Sequence, residues 1–426
     1  MASRRRRGLH FWGPVVLLLI GGAYALASGN WCGEWTVTPP HLEASGWAQG
    51  PLRVGAARVA MVPPYPVVVA GYGGLRRPTA DRAERPLEAR ALVLEAETVK
   101  VAWLELDVLT IPEQLVARLR ERVRGSGYGA VWVVASHTHS GMGGYDPRWL
   151  SELAGTGRFR EDALAALIDA GSRALAAAEA SPVPVTLAWG EQTFPERVAS
   201  RDEGDAYDAR FTRLVFLGVS GPVAELDVVA SHPTLVPRTQ PAVDPDYPGR
   251  VMDAADGGVR LLVQGAVGNA SAPNTPTVDG YAALILDALS RTPVSPVEGA
   301  PLGFARVRAA LPKPDSSRLV PGFARKAGDN FLCASAPRSA EVDALRIGPV
   351  VLLSLPGEPT FDAALPLEGA AKATRLVSVA NGYLGYVDTP AHLAAAHGEA
   401  KKQYFGPELL EVLLEAATLA GQPLAH

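Results

Sequence analysis

At 426 residues the chain exceeds what one small core needs, yet α/β domains of this size commonly stay a single unit. Apolar residues make up 48% and charged residues 20%, which supplies a sizeable core and excludes general disorder. A net charge of −4, from 40 basic and 44 acidic residues, excludes the basic face that gathers nucleic acid.

The N-terminus reads as an address. Four arginines, Arg4 to Arg7, precede an apolar run from Phe11 to Ala27 that ends on Ala25-Leu26-Ala27. That order is the charged flank, hydrophobic stretch and small-residue exit of a secretory signal, predicted over residues 1–28. A signal anchor is the competing reading, weakened as a permanent helix by Gly13, Pro14, Gly21 and Gly22. Either way the remainder is expected to be exported, as a secreted or periplasmic protein or one held at the membrane by an uncleaved segment. In an oxidising compartment Cys32 and Cys333 either form one bridge or remain two unrelated thiols, and neither has the spacing of a zinc knuckle.

A Pro/Gly-rich lead covers 29–52, and one large domain is predicted over 53–426. Short β-branched runs follow at ARALVLEA, VKVAWLEL, AVWVVAS, VPVTLAW, FTRLVFLGV, VRLLVQG and IGPVVLLSLPG. Helical periodicity interleaves them at PEQLVARLRERVRG, FREDALAALIDAGSRALAAAEA, YAALILDALSR and PELLEVLLEAATLAG. The alternation predicts an α/β fold with a mixed, largely buried sheet flanked by helices. No repeat of fixed period is visible. The stretch from Leu311 to Glu341 reads as a long loop, either a cover for the site or a mobile segment.

Several strand-like runs end on chemistry. VWVVASHTHSGMGGY, Val131 to Tyr145, stops on His137 and His139, whose i, i+2 spacing on an extended strand aims both rings the same way. LDVVASHPTLV ends on His232, VVLLSLPGEPT on Glu358, and VSVANGYLGYVDT on Tyr383 and Tyr386. Imidazole and carboxylate suit a borderline cation such as zinc, which in catalytic sites keeps one position open. RLLVQGAVGNASAPN leads to Ser271, a nucleophile or hydrogen-bond partner, within an Asn269-Ala270-Ser271 glycosylation sequon. His392 and His397, at i, i+5 in a helical stretch, are expected on different faces.

Taken in order, VGAARV, GYGG, LEARALVL, SHTHSGMGGY, SHPT, DPDYPGR, QGAVGNASAPN, LPGEPT and YLGYVDTP resemble the neutral/alkaline ceramidases and their broader bacterial relatives. The resemblance implies a zinc-dependent amidohydrolase that cleaves an N-acyl lipid, ceramide first among them. It implies zinc on His137, His232, Glu358 and Tyr386, with His139 as oxyanion stabiliser or proton carrier, Arg201 as a polar contact and Ser271 as the catalytic serine. Two positions depart from the pattern: Ala272 stands between Ser271 and Pro273, and Gly398 stands where a second site tyrosine is expected. The chain ends at residue 426, so no C-terminal immunoglobulin-like domain is expected. Another amide or ester as substrate, and a binding relative without turnover, remain the alternatives. The substrate brings membrane-surface association as an expectation, and no protein partner is predicted.

Overall fold

In the strand Val99–Leu106, Val101 and Trp103 face one core while Ala102, Leu104 and Leu106 face another. Burial on both sides explains why its sequence is an apolar run and not an alternation. The computed structural model describes residues 21–22, 28–74 and 77–425. The arginine run and nearly all of the expected export signal lie outside the described residues. Among the described residues no helix is long and apolar enough to cross a membrane.

Three five-stranded sheets replace the single sheet that periodicity suggested. The first runs Ala130–Ala135, Val99–Leu106, Leu87–Ala96, Arg53–Met61, Val183–Pro184. The second runs Val259–Gln264, Gly221–Val229, Arg210–Gly218, Thr186–Thr193, Ser295–Pro296. The third runs Arg375–Val377, Val350–Ser354, Ser339–Ile347, Leu302–Ala310, His41–Ala48. Each begins with one parallel pair, and every other pairing is antiparallel. The parallel pairs are bridged by helices Glu113–Arg122, Asp246–Asp253 and Phe361–Ala371. The same strand–strand–strand–helix–strand unit thus occurs three times along the chain. Connections of unequal length separate its strands, so it leaves no fixed period in the sequence.

The inner faces of all three sheets share one core, with Leu92, Trp103 and Trp132 from the first, Phe216, Leu226 and Leu261 from the second, and Phe304, Leu345 and Leu352 from the third. Burying each such side chain contributes roughly 2–3 kcal/mol. Outside, helix Glu161–Glu179 covers the first sheet, Asp246–Asp253 and Val278–Arg291 the second, and Phe361–Ala371 with Glu408–Gly421 the third. Glu408–Gly421 therefore docks through its apolar face, as its acidic polar face predicts.

The lead is more than a lead. His41–Ala48 is the edge strand of the third sheet, paired with Leu302–Ala310. Cys32 is bonded to Cys333, with Cα atoms 4.8 Å apart, and so fastens the start of the described chain to helix Arg325–Ser335. That helix lies within the stretch expected to be a loop. Ser316 anchors the same stretch, with its amide and hydroxyl both donating to Asp329 Oδ1 at 2.8 and 2.7 Å.

Arg375, fully buried, ties the third sheet to the second. Its Nη2 donates to Asp208 Oδ2 at 2.7 Å, and Nη1 donates to Thr212 Oγ1 at 2.9 Å and the Arg210 carbonyl at 3.0 Å. Burial pushes the Asp208 carboxyl up, but Arg375 and Arg210 outweigh it and hold it below the usual carboxylate range. Arg375→Met leaves Asp208 buried with one guanidinium fewer, and is expected to lower unfolding free energy by about 3 kcal/mol in denaturant titrations. A loss below about 1 kcal/mol would show that this pair does not hold the sheets together.

Candidate metal centre

The site lies at the carboxyl ends of the three parallel pairs, where α/β sheets usually bind ligands. The first sheet delivers His137 and His139, the second His232, and the third Glu358, Tyr383 and Tyr386. His137 and His139 do converge, with ring centroids 5.0 Å apart, although strand alternation is not the cause. The strand stops at Ala135, and His137 takes a left-handed φ of 67° that turns the chain. The His139 amide then donates to the Pro233 carbonyl at 3.1 Å, which sets this turn against the one carrying His232.

Hydrogen bonds fix both tautomers. His137 Nδ1–H donates to the Leu109 carbonyl at 2.7 Å, and His232 Nδ1–H to the Ala270 carbonyl at 3.0 Å. Each Nε2 therefore presents a lone pair. Both point at Glu358 Oε2, which lies 3.0 Å from His232 Nε2 and 3.5 Å from His137 Nε2. The other carboxylate oxygen accepts from the Tyr383 hydroxyl. Glu358 and Tyr386 sit side by side in a short parallel ladder, and Tyr386 Oη is 3.4 Å from His232 Nε2. Arg201 Nη1 flanks the group, 3.1 Å from His232 Nε2 and 3.2 Å from Tyr386 Oη.

Burial and neighbouring charges shift four of these groups. Burial, aided by Arg201 against Glu358, lowers His232 to about 4, so the ring is neutral at physiological pH. Burial would raise Glu358, but the imidazoles of His137 and His232 hold it well below the usual range. Tyr386 is pushed well up by burial and by Glu358 and Glu399. His139 is pushed well down by burial and its two histidine neighbours, and neither of its ring nitrogens has a hydrogen-bond partner. Its ligand atom lies within 4.8 Å of those of His137 and His232, so it is a candidate ligand as well as a proton carrier.

These residues fit a zinc ion. Tetrahedral bonds of about 2.0 Å place ligand atoms about 3.3 Å apart, which the two contacts of Glu358 Oε2 bracket. Histidines whose second nitrogen is spent on a carbonyl are the usual form of such ligands. His137 Nε2 is buried with no hydrogen-bond partner, the state of a group awaiting a cation.

Beside the centre opens a cavity of about 460 Å³ with a largely apolar wall that includes Leu109, Leu150, Ala154, Leu319 and Tyr404. His139, Arg201, Glu358 and Tyr386 face it. Leu319 brings the Leu311–Glu341 stretch to its mouth, so part of that stretch does cover the site. Tyr404 and Lys402 also line the cavity and carried no periodic or motif signal in the sequence.

Ser271 is next to His232 in the backbone, through a parallel bridge, and like His137 and His232 it is not itself among the residues of the cavity wall. Its turn acts through the Ala270 carbonyl, which accepts from both the amide and Nδ1 of His232. The sequon is a chance match: Asn269 is 1% exposed, its amide donating to the Ala206 carbonyl and accepting from the Phe361 amide. His392 and His397 do come together, at 5.1 Å between centroids, because the helix ends at Ala395 and Ala396 turns left-handed. Each is committed to its own carboxylate, Asp388 at 2.8 Å and Asp205 at 2.9 Å.

No family model and no curated protein matches the chain. Among solved structures, a ceramidase complexed with C2 matches at a TM-score of 0.75 and 18% identity, over 88% of this chain and 75% of that one. Neutral ceramidase from Pseudomonas aeruginosa matches at 0.74 and 17% identity, over 88% and 75%. The three-sheet architecture described above is therefore the fold of the neutral ceramidases.

Proposed function

We propose that this chain is a zinc-dependent amidohydrolase that cleaves an N-acyl lipid, ceramide first among them, and belongs with the neutral/alkaline ceramidases or their bacterial relatives. The shared fold and the ordered sequence motifs support that placement. The observation that carries the chemistry is the meeting of two imidazole lone pairs and a carboxylate oxygen within 3.5 Å, out of water. His137, His232 and Glu358 would hold the cation, with Tyr386 alongside. When bound, zinc supplies Lewis-acid polarisation of a carbonyl and acidifies a coordinated water toward neutral pH.

The chain's own groups do the rest. The apolar cavity takes an acyl chain and excludes water from the scissile amide. Arg201 and Tyr386, which both line the cavity, would present N–H and O–H groups to the oxygen on which negative charge develops. His139, neutral and unengaged, accepts a proton as water attacks the carbonyl carbon and delivers it to the departing nitrogen, so that the C–N bond breaks to acid and amine. Water is the nucleophile in this reading, and Ser271, bridged to His232 through the backbone, is the alternative. The Cys32–Cys333 bridge supports export, since such bonds persist in oxidising compartments. Recovery of the native protein from the cytoplasm with two free thiols would sink that part of the reading.

Elemental analysis of the purified protein is expected to find about one zinc per chain, lost in His137→Ala. Ceramide turnover should vanish on chelation and return with added zinc; activity indifferent to the chelator would overturn the proposal. Ser271→Ala is expected to keep kcat/KM within about three-fold, whereas a loss of 100-fold or more would restore Ser271 as the nucleophile.

A further inference from the structure

We propose that a second, smaller cavity abutting the metal centre binds an anionic group, so that, besides neutral ceramide, the site takes N-acyl compounds carrying a carboxylate or phosphate near the amide. This rests on the amidohydrolase reading for turnover, though not for binding. The cavity measures about 220 Å³ and is lined by Tyr72, Arg77, His139, Arg238 and Thr239, among others. It shares Tyr72, Gly73 and His139 with the larger apolar cavity. A single molecule reaching past that partition would place its acyl chain on one side and its polar end on the other.

The chemistry of the smaller cavity is cationic. Two guanidiniums line it and no carboxylate does. Among the described residues neither Arg77 nor Arg238 forms an ion pair. Arg77 donates to the carbonyls of Tyr72, Glu152 and Leu153 at 2.9, 2.8 and 2.8 Å, which aims the group but leaves its charge uncompensated. Burial accordingly lowers its pKa. Arg238 lies over the Tyr72 ring, 4.3 Å from the centroid, which orients its plane and leaves its N–H edge open. A planar fork of this kind matches carboxylate and phosphate oxygens.

The partition itself is built. Gly71 has a φ of 127°, and a Cβ there would lie 2.2 Å from the His139 carbonyl oxygen, so only glycine lets this loop press against the His139 turn. Tyr72 is thereby held with its ring 5.3 Å from His139, between the two guanidinium-bearing segments and the metal centre.

Binding to chelator-treated protein tests the subsite apart from turnover. By calorimetry, N-lauroylglycine or N-lauroyl phosphoethanolamine is expected to bind about ten-fold more tightly than neutral N-lauroylethanolamine, the scale of one charge-assisted hydrogen bond. The tighter of the two anions identifies the source as carboxylate or phosphate. Arg238→Ala should close the gap and Arg238→Lys should restore part of it, with circular dichroism verifying that each variant is folded. Equal binding of all three probes, or a gap that survives Arg238→Ala, overturns the proposal. If the zinc-loaded protein prefers the anionic probe yet cleaves none, the subsite stands and the hydrolase reading falls.

Discussion

Three acceptors without a shared proton dominate this structure. His137 and His232 have each spent Nδ1–H on a backbone carbonyl, and both remaining lone pairs point at an ionised Glu358 oxygen. Leaving one buried polar group unmatched costs about 1–3 kcal/mol, and His137 Nε2 is such a group, buried with no hydrogen-bond partner. A divalent cation would turn the conflict into coordination. The rest of the site follows from that constraint: the carbonyls of Leu109 and Ala270 fix the tautomers, and Tyr383 steadies the second carboxylate oxygen.

The fold meets the constraint by repetition. Each of three similar units ends in a parallel strand pair, and each supplies part of the candidate ligand set. The units are locked by an inner core common to all three sheets and by buried ties such as Arg375 to Asp208. Rigidity of that kind lets ligands far apart in sequence keep distances of a few ångströms. Strain collects where the strands end: His137 and Val379 both have positive φ, and for a β-branched residue such as Val379 that is unusual. The Val379 carbonyl accepts from the Ala135 amide, and its own amide donates to the Gly357 carbonyl, so this one strained residue joins the turns that lead to His137 and Glu358.

The surroundings divide the space around the centre by chemistry. One side is a largely apolar cavity reached past Leu319, from a stretch that the Cys32–Cys333 bond and Ser316 hold in place. The other is the guanidinium-lined cavity behind Tyr72. A centre placed between an oily wall and a cationic one would, on the proposed reading, discriminate by what lies on each side of the scissile bond, beyond the bond itself.

Much of this was legible in the residues alone. Apolar runs marked the strands, 3.6-residue periodicity marked the four long helices, and the histidines, Glu358 and the tyrosines stood out because each followed a strand-like run. Local pattern records which faces of an element avoid water, and a buried strand ending on a polar ligand is a local event. The partition into three sheets, the choice between a Cys32–Cys333 bond and two free thiols, the meeting of His392 with His397 and the pairing of Ser271 with His232 were not legible. They depend on pairings between distant strands and on single left-handed residues such as His137 and Ala396, where one dihedral redirects everything after it. Which residues can bind a cation was thus written in the chain, while which of them share one was decided by long-range packing, because periodicity carries no information about separation in space.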